Sequence, residues 1–239
     1  SSHEELYRIR LSNLNSVELK LVQIISAFEI SVEQTVLAAL LDLPQEILNS
    51  TLKELEKKNI IESLNISNAP RINSLNFKKF IYSTISVRAK FHLRLANSIK
   101  KLFPDFNTLE LSRQYEIANE PEKAVEILSK EIEEAEEIHS YSYKRSLIEK
   151  SIRMTLPEKV VLRLTSELVK TLYQLGDYKS VLENVYKLTD SNFSEAYETE
   201  LEFIKGSSLN ELGKIKEGIN ILLKLKAKNV DRNYSRKID

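Results

Sequence analysis

Gly206-Ser207-Ser208-Leu209-Asn210-Glu211-Leu212-Gly213-Lys214-Ile215-Lys216-Glu217-Gly218 sets a glycine between two amphipathic segments. A small residue lies seven positions before Gly213 and another five positions after it, Gly206 and Gly218. Glycine permits the left-handed turn that ends a helix, and small residues on both sides let the flanking helices cross closely. A second turn of this kind, Leu175-Gly176-Asp177-Tyr178, stands upstream, and the two glycines are 213 − 176 = 37 positions apart. Its flanking positions are Val169 and Val181, a bulkier seam. The spacing predicts stacked helical hairpins, because a lone hairpin cannot bury a stripe such as Val160, Leu164, Leu168, Leu172 and Leu175.

An earlier hairpin is set with Asn119 in the turn, Ser112 before it and Ala124 after it, and Pro121 suits the start of the following helix. The interval 176 − 119 = 57 exceeds the next one by 20 positions, room for one extra helix, His139 to Met154, before Pro157 opens another. The predicted array is irregular.

Upstream, Val17, Leu21, Ile24, Ile25 and Phe28 form the stripe of a helix over Ser16–Phe28. Ser31 is placed as the N-cap of a second helix, through Val36, Leu37, Leu40 and Leu41, and Pro44–Lys58 forms a third with Leu48, Thr51, Leu52 and Leu55 inward. Ile60–Ile66 and Ile72–Phe77 read as two strands joined by a turn at Ser67-Asn68-Ala69-Pro70. Three helices closed by a hairpin is the winged-helix plan. If it read DNA, the third helix would present Gln45, Asn49, Lys53, Lys57 and Lys58. Glu46, Glu54 and Glu56 cancel the three lysines, and the hairpin adds only Arg71 opposite Glu62, so the electrostatic drive toward nucleic acid is missing. Two further helices, Phe77–Ser86 and Val87–Phe103, follow, the second with His92, Leu95, Ala96, Ile99, Leu102 and Phe103 on one face. His92 reads as a packed histidine rather than a ligand.

Composition agrees with a mainly α chain: 239 residues contain only 4 Gly and 5 Pro. The 35 basic and 35 acidic side chains cancel, leaving no global field toward nucleic acid or anionic lipid. Cysteine is absent, which removes thiolate chemistry and disulfides and fits a reducing cytoplasm. No apolar run approaches a membrane span, and no phosphate-binding glycine loop, nucleophile elbow or paired-histidine metal helix occurs. Neither catalysis nor a cofactor is expected. Glu131, Glu133, Glu134, Glu136 and Glu137 read as a solvated acidic surface rather than a metal site, and Lys224, Lys226, Lys228, Arg232, Arg236 and Lys237 as a basic C-terminal stretch.

The repeated turn resembles the tetratricopeptide unit, a helical hairpin of about 34 residues. That frame implies a concave face of first helices carrying Arg113, Glu116, Arg163, Ser166, Lys170, Tyr173, Gln174, Phe203, Ser207 and Asn210, a mixture suited to a peptide backbone or an acidic segment. The order of parts resembles the region after the ATPase core in signal-transduction ATPases with numerous domains, the STAND class. Leu14–Phe28, Leu52–Ile61, Arg88–Ala96 and Glu110–Tyr115 carry that likeness. The expected organisation is a winged-helix domain over 1–104, a tetratricopeptide-like array over 105–228 and a basic tail over 229–239. The resemblance implies a non-catalytic regulatory segment of a larger signalling protein, with a protein or peptide partner or an adjacent ATPase domain. A transcription regulator whose winged helix binds DNA and whose array senses an effector is the alternative.

Overall fold

A computed structural model of the chain describes residues 2–63, 69–189 and 195–227. The fold is mainly α, with thirteen helices and one two-stranded antiparallel sheet among the described residues. The chain divides into two compact units, Ser1–Ala124 and Val125–Asp239. Among the described residues no helix is long and apolar enough to cross a membrane.

The first unit contains α1 (Ser2–Ser12), α2 (Ser16–Ala27), α3 (Gln34–Leu41), α4 (Gln45–Lys57), β1 (Ile61–Ser63), β2 (Pro70–Ile72), α5 (Leu75–Ser83), α6 (Arg88–Leu102) and α7 (Thr108–Ile117). Leu21, Phe28, Leu37, Leu48, Leu55, Phe77, Ile81 and Ile99 fill its core. Asn15 opens α2 through a capping box: its side chain accepts from the Val17 and Glu18 amides at 2.9 Å, and Glu18 accepts from the Asn15 amide at 2.7 Å. Such a cap contributes about 1 kcal/mol. Asn59 ends α4 at φ 55°, and the Ile60 amide donates back to Leu55 at 2.9 Å.

Three expectations shift. The second helix begins at Gln34 with Glu33, extended and making no side-chain cap bond, in the N-cap position instead of Ser31, and Val32 ahead of it is buried in the core. The second strand lies at Pro70–Ile72, pairing Ile61 with Ile72 and Glu62 with Arg71, whose side chains meet at 3.4 Å. Ser74 instead caps α5, which turns Leu75–Phe77 from strand into helix and sends Phe77 and Ile81 inward. Ser67 and Asn68 of the expected turn lie outside the described residues. Helix α1 has no amphipathic stripe to announce it. It is held through Tyr7, 5.0 Å from the Phe77 ring, and Arg10, which stands 4.5 Å over that ring and donates to the Asn59 carbonyl at 2.5 Å.

Helix α8 (Pro121–Glu137) carries the division between units, and α9 (Tyr141–Ile152), α10 (Glu158–Gln174), α11 (Tyr178–Thr189), α12 (Glu195–Glu211) and α13 (Ile215–Ala227) follow as antiparallel tetratricopeptide-like hairpins. Gly176 and Gly213 adopt φ of 72° and 78°, as the sequence predicts, and Asn119 adopts 59°. His139 adopts φ 57° in the turn between α8 and α9. After each of these residues the next amide donates five residues back: Glu120 to Tyr115, Ser140 to Ala135, Asp177 to Leu172, and Lys214 to Leu209, at 2.8–3.0 Å.

The frame is therefore more regular than its sequence. The turns at His139, Gly176 and Gly213 are separated by 176 − 139 = 37 and 213 − 176 = 37 positions, so the hairpins are α8–α9, α10–α11 and α12–α13. Helix α9 is not an insertion but the second helix of the first hairpin. The Asn119 turn is real too, since Ser112 donates to the Ala124 carbonyl at 3.1 Å across the α7–α8 seam. Helix α8 thus closes one hairpin and opens the next. In the last hairpin the seam is as tight as expected: a Cβ on Gly218 would lie 2.6 Å from the Gly206 carbonyl oxygen and against the Asn210 side chain. Val169 and Val181, at the equivalent positions, are fully buried.

Candidate functional site

The first helices of the three hairpins, α8, α10 and α12, line a groove of about 880 Å³ within the second unit. Ile132, Leu164 and Ile204 supply its apolar surface, and Tyr173 and Phe203 its aromatic surface. Its lining follows the 37-residue frame: Glu133 and Lys170 occupy equivalent positions, as do Glu136 and Tyr173, Glu137 and Gln174, and Arg163 and Glu200. Each equivalent pair therefore projects from the same helical face of successive first helices.

One second-helix residue also reaches the groove. Lys144 of α9 stands five positions after its turn, where the other hairpins place Val181 and Gly218. It is only 4% exposed, and its ammonium lies 2.5 Å from Glu136 and 3.2 Å from Glu167. Glu167 also meets Lys170 at 3.5 Å, and Lys170 meets Glu200 at 2.8 Å. An ionic ladder Glu136–Lys144–Glu167–Lys170–Glu200 therefore crosses the groove from α8 to α12. Burial alone would lower the Lys170 pKa, but the hydrogen bonds and charges of Glu200 and Glu167 outweigh it and hold the ammonium above its ordinary value.

Five of the ten residues expected on a concave face line this groove: Arg163, Lys170, Tyr173, Gln174 and Phe203. The others go elsewhere. Ser166 is 1% exposed inside the array, and Ser207 is absent from the groove lining. Asn210 turns its carboxamide onto Gly218 in the α12–α13 seam, filling the space that the missing Cβ leaves. Arg113 and Glu116 belong to α7 in the other unit, because α8 rather than α7 is the first helix of the first hairpin. The acidic run divides as well: Glu131 accepts from the Tyr143 hydroxyl at 3.0 Å and Glu134 faces Lys130 at 3.8 Å, while Glu133, Glu136 and Glu137 line the groove. Five carboxylates then face three cations, a formal excess of two negative charges. The expectation of a peptide backbone or an acidic segment rested on the cations Arg113, Arg163 and Lys170, of which Arg113 lies in the other unit. Among the described residues no group of three or more His, Asp or Glu is placed to hold a metal ion.

Arg113 works inside its own unit. It meets Glu110 at 2.7 Å and donates to the Ala27 carbonyl, closing α7 against the end of α2. Gln114 donates its amide protons to Glu110 at 2.7 Å and to the Ala27 carbonyl at 3.2 Å, so its oxygen accepts from the His92 Nδ1–H at 2.5 Å. Nε2 of His92 then accepts from the Tyr82 hydroxyl at 2.9 Å. Every polar atom of the fully buried His92 ring is engaged in the neutral tautomer, and burial pushes its pKa down. His92 is a packed histidine, as its sequence context predicts.

The third-helix residues weighed for DNA are largely committed to one another or to the core. Gln45 donates to Asn49 at 3.1 Å, and Lys57 pairs with Glu54 at 2.6 Å. Lys58 donates to both oxygens of the buried Glu18 at 2.7 Å and to the Asn13 carbonyl at 3.1 Å. Lys53 is exposed. Of the basic C-terminal stretch, Lys224 and Lys226 end α13, and Lys228, Arg232, Arg236 and Lys237 lie outside the described residues.

No family model matches the chain, and no curated protein matches it. Among solved structures it is similar to a signal transduction ATPase with numerous domains (STAND) protein with a tetratricopeptide repeat sensor, from Pyrococcus horikoshii. The two are 16% identical with a TM-score of 0.42, over 99% of this chain and 41% of that one. This chain thus spans about two fifths of that protein's length.

Proposed function

We propose that this chain is a non-catalytic binding and coupling segment whose α8–α10–α12 groove takes an extended stretch of a partner protein. The observation that carries the reading is the groove itself, lined by three successive first helices that share lining positions pairwise in one 37-residue frame. Aromatic and aliphatic side chains on its surface offer anchors, and the ionic ladder fixes its walls before any partner arrives, which lowers the ordering cost of binding. In this reading α2–α4 and the β1–β2 hairpin are a winged helix that packs on protein. Lys58 favours that role, since its charge is spent on Glu18 rather than offered to phosphates. Within a longer cytoplasmic signalling polypeptide, the segment would couple occupancy of the groove to an adjacent ATPase domain through two states of differing affinity.

The test is selection of a displayed peptide library on the intact chain, followed by fluorescence anisotropy with the selected peptides. Tyr173→Ala and Phe203→Ala should each weaken binding about tenfold, as expected of buried aromatic anchors, while Lys53→Glu in the other unit leaves it unchanged. An empty selection, or peptides indifferent to both groove variants, overturns the reading. Salt-sensitive binding of duplex DNA abolished by Lys53→Glu would favour the DNA-reading regulator.

A further inference from the structure

Given that the groove binds an extended segment, we infer that its occupant is cationic, carrying lysine or arginine beside an apolar or aromatic anchor. The charges within the groove divide into those already engaged and those still available. Lys144 and Lys170 are held by Glu136, Glu167 and Glu200. Glu133 and Glu137 of α8, both exposed and one helical turn apart, have no ion pair among the described residues, and neither does the exposed Arg163 of α10. The available carboxylates therefore form an acidic edge along α8, while the two paired cations cannot serve an acidic ligand without abandoning their own partners.

Three features favour a cation over a neutral chain. The groove has two more carboxylates than cations, and its concave low-dielectric walls concentrate that field. Tyr173 and Phe203 offer ring faces that attract lysine and arginine as well as apolar side chains. Arg163 remains available to donate to a peptide carbonyl, which every extended chain carries regardless of its sequence. Helices packed about 9 Å apart put the outer two of α8, α10 and α12 roughly 18 Å from each other, a distance that about six extended residues cover.

The experiment uses the intact chain and three capped, fluorescein-labelled peptides of about eight residues, a length that follows from this span. They share their leucine and tyrosine positions and differ only in carrying lysine, glutamine or glutamate at the remaining sites. The lysine peptide should bind about tenfold more tightly than the glutamine peptide, and the glutamate peptide least tightly of the three. Raising the salt should shrink the lysine advantage, because the carboxylates are exposed. Combining Glu133→Gln and Glu137→Gln should reduce that advantage to about twofold while leaving the glutamine peptide unaffected. If glutamine or glutamate peptides bind as tightly as lysine, or the double substitution changes nothing, the cationic preference is wrong. Loss of that binding on Tyr173→Ala would then show that the groove still binds peptides of another charge. If none of the three peptides binds, or none responds to Tyr173→Ala, both the preference and the groove reading fall.

Discussion

Replacing Lys144 separates the two jobs that the structure gives it. Its stem fills the seam position taken by Val181 and Gly218 in the other hairpins, and its ammonium reaches Glu136 and Glu167 in the groove. Lys144→Ala removes three buried methylenes. At about 0.8 kcal/mol each this costs roughly 2.5 kcal/mol, with an additional cavity penalty where the helices fail to close. Lys144→Met keeps most of the volume and removes the charge. The carboxylates it abandons are substantially exposed, 51% for Glu136 and 39% for Glu167, so water replaces the lost ion pairs, and the desolvation penalty of the ammonium disappears. The methionine variant should therefore remain within about 1 kcal/mol of the parent. Urea unfolding followed by circular dichroism, with slopes compared to confirm equal exposed surface, measures both. Methionine as damaging as alanine would refute the division and make the ion pairs the stabilising element. The same variant frees Glu136 for a ligand while Glu167 keeps Lys170, so it should tighten the lysine peptide and leave the glutamine peptide unaffected.

The turn residues give an opposed pair of outcomes in the same assay: His139→Gly should stabilise by about 0.5–1 kcal/mol because histidine occupies a left-handed conformation, while Gly213→Ala should destabilise by about 1 kcal/mol. Gly218→Ala, which in an exposed helix would gain about 1 kcal/mol, should instead lose roughly 1–2 kcal/mol, since the new methyl meets the Gly206 carbonyl and the Asn210 carboxamide; an unchanged or raised midpoint would show that the seam can open freely. For His92, burial lowers the folded pKa below the unfolded value of about 6.5. Its neutral form therefore stabilises the fold fully above that pH, and stability declines as acidification drives protonation of the unfolded chain. The fall in melting temperature between about pH 7 and pH 5 should be smaller in His92→Gln than in the parent.

Where the backbone restricted the choice of residue, the sequence was legible. Left-handed turns admit few side chains, so Gly176, Gly213 and Asn119 could be read as turns, and the close α12–α13 crossing was written in Gly206 and Gly218. Ser112 and Ala124 similarly revealed the α7–α8 seam. The first hairpin was hidden because His139 stands where a glycine is expected and Lys144 where a small residue is. Neither side chain advertises its backbone role, and the frame emerges only once the φ angle of His139 is known. Ser74 was ambiguous for another reason: a polar residue after a strand also caps a helix, and the inward burial of Phe77 and Ile81 decided for the helix. Among the groove residues, the part on α10 was legible from helical spacing, and the acidic edge on α8 was not, because assigning α8 to the Asn119 hairpin alone made it a second helix.

The double role of α8 has a physical source and a consequence for the groove. A helix serving one seam commits one stripe, but α8 serves two, placing Ala124 against Ser112 near its start and Glu133, Glu136 and Glu137 along the groove near its end. A helix with two committed faces is less free to accept substitutions than one whose outer face meets only water. The same hairpin departs from the repeat at its turn and its seam, and its seam lysine creates the first rung of the ionic ladder. The groove's polarity thus arises where the repeat is least regular: a small residue at position 144 would leave Glu136 and Glu167 without their shared cation and make the groove one charge more negative.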